Sequence, residues 1–240
     1  MEIYETAQFQ TDLDALGITI SREQESQFIR YYEMLIEWNQ MMNLTAITEY
    51  EDVMKKHFVD SLSLVKAYGK EMRISLMDVG TGAGFPGLVI KIAFPECRVT
   101  LLDSLNKRIQ FLNAVIAELG LKGAEAVHGR AEDMARPGKM REKFDLCVSR
   151  AVANLSTLSE YCIPFVKPGG CFIAYKSENS LDEMSKAEKA IALLGGYLQK
   201  KEEFLLPDSD IHRCLYVIKK ENPTPAGYPR KAGLPGREPL

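Results

Sequence analysis

An acidic residue followed by three alternating glycines occupies residues 78–84. Because glycine has no Cβ atom, this loop can lie directly against a bound molecule. An apolar run from Ile74 to Val79 precedes the glycines, and Pro86 follows them with a φ angle suited to the first turn of a helix. The pattern predicts a strand, a tight turn and a helix whose free N–H groups face a polar or anionic ligand. The residues that define the loop are Asp78, Gly80, Gly82 and Gly84.

Two nucleotide ligands suit this loop, because Gly82, Gly84 and Gly87 also have the spacing found in dinucleotide-binding proteins. The carboxylate of Asp78 would repel a pyrophosphate, whereas it would attract the α-ammonium group of S-adenosylmethionine. A second acid, Asp103, ends the next predicted strand, where a ribose diol could donate two hydrogen bonds to it. The sequence therefore favours S-adenosylmethionine. A nicotinamide-dependent oxidoreductase, or a turn whose glycines serve only close packing, remains an alternative.

Two further predicted strands end in residues that suit a nucleotide. The turn Gly129-Arg130-Ala131-Glu132-Asp133 follows the first, and a backbone N–H there could meet adenine N1 while a carboxylate accepts from its amino group. Alternatively, the two acids only complement a helix dipole. Arg150 follows the second strand, Phe144 to Ser149. Because the carboxyl ends of parallel strands share one edge of a sheet, we expect these residues to lie near the glycine loop.

The predicted elements divide the chain into two parts. From residue 74 onward strands alternate with helices, which indicates an α/β fold with a mostly parallel sheet. Residues 1–70 instead show apolar residues at helical spacing, and Ser21-x-x-Gln24 resembles a capping box; a further helix is predicted from Thr48. We expect an N-terminal helical cap at residues 1–70 and a ligand-binding domain at residues 71–240, which closes with a hairpin.

Composition excludes few functions. The formal net charge of −3 gives no global sign of nucleic-acid binding, so that function must rest on a local basic patch. No apolar run approaches the length of a membrane span, and the amino terminus lacks the pattern of a signal peptide. The five cysteines have no C-x-x-C spacing, so we expect reduced thiols, no metal site and a cytoplasmic protein. They are Cys97, Cys147, Cys162, Cys171 and Cys214.

Basic residues are concentrated at the carboxyl terminus. Residues 219–240 contain five basic side chains and two acidic ones, and five prolines that should keep the segment extended. An extended basic chain can follow a phosphate backbone, which makes Arg230, Lys231 and Arg237 candidate RNA-binding residues. A disordered, solvated tail is the alternative.

Asn39 and Asn43 lie one helical turn apart beside Trp38, and their amides could hydrogen-bond the edge of a base. The alternative is that Asn43 only ends a helix and Trp38 belongs to the core.

Taken in order, residues 78–84, Asp103 and Lys167-Pro168-Gly169-Gly170 resemble a class I S-adenosylmethionine-dependent methyltransferase, which has a Rossmann-like, mostly parallel seven-stranded sheet. Finer strings, spread over nearly the whole chain, resemble one family in that class: bacterial small-subunit ribosomal RNA methyltransferase G, also called glucose-inhibited division protein B. Those strings are Trp38-Asn39, Asn43-Leu44-Thr45, His57-Phe58-Val59-Asp60-Ser61-Leu62, Gly80 to Gly87, Leu102-Asp103-Ser104, Gly129-Arg130-Ala131-Glu132, Ser149-Arg150-Ala151-Val152 and Tyr228-Pro229-Arg230-Lys231-Ala232-Gly233.

The resemblance implies that S-adenosylmethionine is the cofactor and that N7 of a guanine in the decoding region of 16S rRNA is methylated, within the small ribosomal subunit or an assembly intermediate. It places the cofactor at Gly80, Phe85, Ala131, Glu132 and Arg150. The residues agree, because the chain lacks both an Asn/Asp-Pro-Pro-aromatic turn for amine methylation and a cysteine nucleophile at the sheet edge. Guanine N7 is an unprotonated acceptor that needs neither.

In-line transfer to N7 can proceed by alignment without a general base. Arg150 is the candidate catalytic residue, and it could bind either the cofactor carboxylate or the guanine edge. A non-catalytic RNA- or nucleotide-binding module is the remaining alternative.

Overall fold

The computed structural model of this chain describes residues 4–150, 152–177 and 181–240. Its strands are β1 (Ser75–Val79), β2 (Arg98–Asp103), β3 (Ala124–His128), β4 (Phe144–Arg150), β5 (Val166–Lys176), β6 (Gly196–Leu205) and β7 (His212–Lys220). Its helices are α1 (Ala7–Ala15), α2 (Arg22–Met42), α3 (Tyr50–Val53), α4 (Asp60–Leu62), α5 (Leu64–Tyr68), α6 (Gly87–Ala93), α7 (Asn106–Glu118), α8 (Ala131–Met134), α9 (Leu155–Cys162), α10 (Leu181–Leu193) and α11 (Leu234–Arg237).

The strands form one seven-stranded sheet in the order β3-β2-β1-β4-β5-β7-β6. Adjacent strands from β3 to β5 are parallel, whereas β7 is antiparallel to both of its neighbours, β5 and β6. The predicted mostly parallel α/β sheet and the closing hairpin are confirmed. The strand order reverses between β1 and β4, and open α/β sheets bind their ligands at such a reversal.

Each face of the sheet packs against a separate hydrophobic cluster. In β1, Leu76 lies in one cluster, while Met77 and Val79 lie in the other, because neighbouring side chains of a strand point to opposite faces. The first cluster joins the sheet to α1, α2, α6 and α7, and the second joins it to α9 and α10. This packing holds the carboxyl ends of β1 to β4 at one edge.

The N-terminal helices follow the prediction at α2 and differ from it later. The Ser21 hydroxyl accepts from Gln24 N and the Gln24 side chain accepts from Ser21 N, so the predicted capping box is present. The third predicted helix begins at Tyr50, not at Thr48, and its N-cap residue Glu49 makes no side-chain capping hydrogen bond. A π-helical segment, Met54–Val59, also interrupts the regular α-helix that was predicted there. π-Helical turns are rare and often lie at functional sites.

The N-terminal helices share their core with the sheet. Tyr31 of α2 packs against Phe58, with ring centroids 5.3 Å apart, and against Phe85 beyond the glycine loop, at 5.7 Å. Residues of this cluster extend to Leu215 and Val217 on β7. The division into a cap at residues 1–70 and a domain at residues 71–240 stays a prediction, and the described residues of the helices share one hydrophobic cluster with the sheet.

The last twenty residues, 221–240, form a segment that we call the C-terminal strap. The prediction of an extended segment is wrong, because turns and α11 fold the strap back onto α8 and α9. Thr157 Oγ1 donates to Pro235 O at 3.0 Å, and Ser156 Oγ donates to Leu240 O at 2.7 Å. These side chains satisfy carbonyl groups that an extended chain would leave to water.

All five cysteines are buried free thiols, as predicted. Across the three described ranges of the chain, no helix combines the length and the apolarity that a membrane crossing needs. Within those same ranges, no three His, Cys, Asp or Glu side chains are grouped so as to hold a metal ion.

Candidate functional site

A cavity of about 990 Å³ opens at the carboxyl ends of β1, β2, β3 and β4. Of the nine residues predicted to bind a cofactor, seven line it directly. They are Gly80, Gly82, Phe85, Asp103, Ala131, Glu132 and Arg150. Residues from the N-terminal helices and the loop after α2 complete the wall, among them Leu44, Ile47, Lys56, His57 and Asp60. The strand ends and the N-terminal helices therefore build one site together.

The glycines of the loop have different surroundings. A Cβ atom on Gly82, where φ is 61°, would meet no protein atom within 4 Å, so its open side belongs to the cavity. A Cβ atom on Gly84 would lie 2.5 Å from the hydroxyl oxygen of Tyr31 and 2.6 Å from Leu88. Gly82 thus leaves room for a ligand, whereas Gly84 allows close packing and does not line the cavity.

Tyr31 holds the loop from the side of the N-terminal helices. Its side chain is fully buried, and its hydroxyl donates to the carbonyl oxygen of Ala83. The sequence analysis missed this contact, because it did not single out Tyr31 and no residue pattern shows which side chain of a helix reaches a loop 52 residues away. Burial also raises the pKa of the Tyr31 hydroxyl, so it remains a donor.

Asp78 lies beneath the glycine loop instead of in the cavity wall, which differs from the expected contact with the ligand. Its Oδ2 accepts from the Thr81 hydroxyl at 2.6 Å and from the Gly87 N–H at 2.8 Å. The buried Oδ1 has no hydrogen-bond partner among the described residues. Burial raises the pKa of Asp78 to about 6, although the bonds from Thr81 and Gly87 oppose the shift. The carboxylate holds the loop through Thr81 and Gly87.

Asp103 faces the cavity at the end of β2 and is already hydrogen-bonded. Oδ2 accepts from Gly82 N at 3.0 Å and from Arg108 Nη1 at 3.1 Å, and Oδ1 accepts from Leu105 N at 2.9 Å. The cation of Arg108 therefore has a carboxylate partner at this site. A carboxylate offers about four acceptor positions, so Asp103 retains capacity for a hydroxyl group of a ligand.

Ala131 and Glu132 begin α8 directly after β3, as the sequence predicted. Glu132 is 5% exposed, and its Oε1 accepts from the backbone N–H of Gly233 at 2.7 Å. Gly233 belongs to the C-terminal strap and also lines the cavity. The strap therefore forms part of this wall, a position that no pattern in the sequence predicts.

Arg150 is oriented by residues of the N-terminal helices. Its Nη1 donates to Asp60 Oδ2 at 2.9 Å, and its guanidinium carbon lies 5.1 Å from the centroid of the Phe85 ring. Asp60 is 3% exposed, and its Oδ1 accepts from Arg213 Nε at 2.8 Å. Asp60 thus holds two cations on the cavity wall. Ala151, the next residue of the motif, lies outside the described residues.

His57 stacks on Phe85 with ring centroids 4.5 Å apart. Its Nε2 lies 2.8 Å from Thr45 Oγ1, and its Nδ1 lies 3.4 Å from Arg150 Nη2. Burial, helped by the positive charge of Arg150, lowers the pKa of His57 to about 4. The neutral imidazole can then accept from Arg150 through Nδ1 and donate through Nε2. The sequence analysis gave His57 and Asp60 no role, and the π-helical segment that places His57 leaves no pattern in residue types.

The candidate RNA-binding residues lie outside the cavity lining. Asn39 Oδ1 accepts from Thr45 N at 2.9 Å, and Asn43 ends α2 with φ of 49°. Arg230 does not present its guanidinium to solvent as expected, because it pairs with the buried carboxylate of Glu160 at 2.7 Å. Lys231 and Arg237 are exposed, so of the three basic candidates only these two remain available for phosphate.

The charges around the cavity favour an anionic partner at its mouth. The lining contains six cationic side chains and four carboxylates. Arg130 is exposed, and it has no ion pair or side-chain hydrogen bond among the described residues. A polyanion approaching this edge of the sheet would therefore meet a local excess of positive charge in a chain whose net charge is −3.

The chain is similar to known proteins in sequence and in fold. A family model described as rRNA small subunit methyltransferase G matches residues 24–211. A protein of Lachnoclostridium phytofermentans is 55% identical over 95% of this chain and 94% of its own length. Proteins of Acetivibrio thermocellus and Geobacillus thermodenitrificans are 52% and 48% identical, over 93% and 98% of this chain and 92% and 99% of theirs. All three are named ribosomal RNA small subunit methyltransferase G.

Solved structures share the fold at low sequence identity. An S-adenosylmethionine-dependent methyltransferase from Aquifex aeolicus gives a TM-score of 0.54 at 15% identity, over 73% of this chain and 96% of its own. The TYW2 protein of M. jannaschii, solved in complex with AdoMet, gives 0.53 at 12% identity, over 67% and 76%. These neighbours agree with the predicted class I methyltransferase architecture.

Proposed function

Because the chain belongs to the rRNA small subunit methyltransferase G family, we propose that it transfers a methyl group from S-adenosylmethionine to N7 of a guanine in the decoding region of 16S rRNA. Family membership over most of the chain is the observation that carries this proposal. Neither a nicotinamide-dependent oxidoreductase nor a non-catalytic binding module is supported by the comparisons.

The residues of the cavity fit S-adenosylmethionine. The space beside Gly82, which any Cβ atom would enter, admits a ligand against the backbone of the loop. Asp103 has acceptor capacity for a ribose hydroxyl, and Glu132 has an oxygen, Oε2, with no hydrogen-bond partner among the described residues. Carboxylates at these two places suit the donor groups of an adenosine.

S-Adenosylmethionine, when bound, supplies an electrophilic methyl group on a sulfonium. The chain needs no general base, since guanine N7 carries no proton to remove. Its contribution is to hold donor and acceptor in line and to exclude water, and such alignment accounts for large rate accelerations. His57, Phe85 and Arg150 form a stacked group beside the loop that is suited to this positioning.

Arg150 has two possible partners in the reaction, the cofactor carboxylate and the O6/N7 edge of guanine. Asp60 fixes the guanidinium for either. Arg150→Ala separates them: loss of S-adenosylmethionine affinity in calorimetry assigns Arg150 to the cofactor. A raised KM for RNA with unchanged cofactor affinity assigns it to guanine.

The RNA is proposed to be read within a small-subunit particle or an assembly intermediate. The excess of cations at the cavity mouth and the exposed Lys231 and Arg237 support a contact with phosphates. Asn39 and Asn43 stay candidates for base contacts, with the Oδ1 atom of Asn39 already engaged by Thr45.

A deletion strain tests the proposal. Mass spectrometry should find one 7-methylguanosine missing from its 16S rRNA, and purified enzyme with labelled S-adenosylmethionine should restore it on isolated particles. Parallel reactions on naked 16S rRNA identify the preferred form of the substrate. A protein stabilised thermally by NAD(H) and not by S-adenosylmethionine, or one that binds RNA and transfers no methyl group, would contradict the proposal.

A further inference from the structure

The C-terminal strap reaches the cavity at Gly233. The N–H of Gly233 donates to Glu132 Oε1 at 2.7 Å, and Gly233 lines the cavity beside Glu132 and Ala131. Because the side chain of Glu132 has several rotatable bonds, its position depends on what holds the carboxylate. In this structure the backbone N–H of Gly233 in the strap holds the Glu132 carboxylate.

Arg230 fixes the strap three residues before Gly233. Its backbone N–H donates to Glu160 Oε1 at 2.7 Å, and its Nη2 donates to Glu160 Oε2 at 2.7 Å. Glu160 is fully buried on α9, so this carboxylate depends on Arg230 for a countercharge. The Nη2 of Arg230 also donates to Glu238 O at 2.7 Å, which ties both sides of Gly233 together.

Further anchors lie on either side of Gly233. Upstream, the Arg141 side chain donates to Tyr228 O at 2.6 Å and also to the carbonyl oxygen of Thr224. Downstream, the buried Thr157 hydroxyl donates to Pro235 O at 3.0 Å. With attachments on both sides, Gly233 has a fixed position relative to α8 and α9.

We propose that the C-terminal strap is a wall of the cofactor site and that Arg230 is a positioning residue, which holds Glu132 ready for the adenosine part of S-adenosylmethionine through Gly233. This inference rests on the proposed function. It also divides the roles of the basic residues in the strap. Arg230 supports the cofactor site, whereas the exposed Lys231 and Arg237 are available to bind RNA.

Calorimetry with S-adenosylmethionine on the full-length protein tests the inference. Arg230→Ala should weaken affinity about tenfold or more, since a charge-assisted bond in the support of Glu132 is lost. Arg230→Lys, which keeps the charge but not the paired geometry, should lie between Arg230→Ala and wild type. Lys139→Ala is the matched control: this exposed lysine follows α8, has no ion pair among the described residues, and should keep wild-type affinity.

Kinetics distinguish positioning from a general loss of structure. In Arg230→Ala the KM for S-adenosylmethionine should rise, while kcat at saturating cofactor and the KM for RNA stay within about threefold of wild type. Thr157→Val serves as a second variant if Arg230→Ala does not fold, because it releases Pro235 without leaving a buried charge alone. It should also weaken cofactor affinity.

Unchanged affinity in whichever of these variants is folded, or an equal loss in Lys139→Ala, would overturn the inference. The failure of the proposed function gives a different result, because then the wild-type protein itself would not bind S-adenosylmethionine.

Discussion

The hydroxyl of Tyr31 on α2 donates a hydrogen bond to the carbonyl oxygen of Ala83 in the glycine loop. Two parts of the chain that the sequence divides into cap and domain are thus joined at the loop that is proposed to hold the cofactor. The rings of Phe58 and Phe85 pack against Tyr31, so the hydroxyl has little freedom to move away.

We predict that Tyr31→Phe weakens S-adenosylmethionine binding and destabilises the protein by about 1–3 kcal/mol, because a buried carbonyl loses its donor. Urea unfolding and calorimetry measure the two effects. Tyr32→Phe removes a hydroxyl that donates to Thr48 O at 3.0 Å, away from the loop, and is the control. Equal losses of cofactor affinity in both variants would contradict a specific role for Tyr31.

We predict that Gly82→Val abolishes cofactor binding in a protein that stays folded by circular dichroism. The side chain would enter the cavity without meeting protein atoms, at a cost of about 1–2 kcal/mol for a β-carbon at positive φ. Gly120 has φ of 62° against 61° for Gly82, and its Cβ would also meet no atom within 4 Å. Gly120→Val should therefore show similar strain and normal methylation. Normal methylation by Gly82→Val would mean that the loop does not bind the cofactor.

We predict that Asp103→Ala lowers S-adenosylmethionine affinity by about 1.5–3 kcal/mol, because a ribose hydroxyl loses a charged acceptor. The Gly82 and Leu105 N–H groups lose the same acceptor, so part of the effect comes from the loop. Asp103→Asn keeps the shape and one acceptor oxygen and should lose less. Calorimetry that finds wild-type affinity in Asp103→Ala would refute the assignment.

We predict that the stabilising contribution of His57 decreases in acid. Its pKa is about 4 in the folded protein and ordinarily 6.5. As pH falls, the unfolded chain therefore binds a proton on His57 at a higher pH than the folded protein does. The contribution of His57 to the free energy of unfolding is complete above pH 6.5 and is lost as pH falls toward 4. Unfolding free energies of wild type and His57→Gln should therefore converge from neutral pH to about pH 4.5. A difference that is constant over this range would be inconsistent with a buried neutral imidazole.

Asp78 acts in the opposite direction, since its raised pKa of about 6 makes the fold more stable as that carboxylate protonates below this pH. The comparison at each pH with His57→Gln, in which Asp78 is unchanged, removes this contribution.

We predict that Lys231→Ala with Arg237→Ala weakens binding to small-subunit particles, reduces the slope of affinity against salt by about one for each lost phosphate contact, and leaves S-adenosylmethionine affinity intact. Both side chains are exposed on the C-terminal strap. Filter binding across a salt series measures the slope. A wild-type slope in the double variant would show that the strap does not contact RNA.

The cavity residues at strand ends were predictable, whereas their supports were not. Asp103 and Arg150 each follow an apolar run, and parallel strands bring such ends to one edge by rule. Asp60 and Arg213 are 153 residues apart, and Glu160 and Arg230 are 70 apart. Pairs at such separations depend on tertiary packing and leave no periodicity in the sequence.

Dependence on tertiary packing also explains why the extended conformation predicted for residues 219–240 was wrong. Proline and positive charge in residues 219–240 predicted an extended basic chain, but composition does not show the buried carboxylate of Glu160 that draws Arg230 inward. The ion pair between Arg108 and Asp103 likewise depends on the fold and is not visible in the composition.

The bond between Asp60 and Arg213 has a consequence for the time at which the site is completed during translation. The N-terminal helices leave the ribosome first, but the partner of Asp60 on β7 is made 153 residues later, and Gly233 follows after that. A nascent chain that ends before β7 lacks the second cation on Asp60 and the support of Glu132. The proposed cofactor site is therefore completed only after β7 and Gly233 have been synthesised.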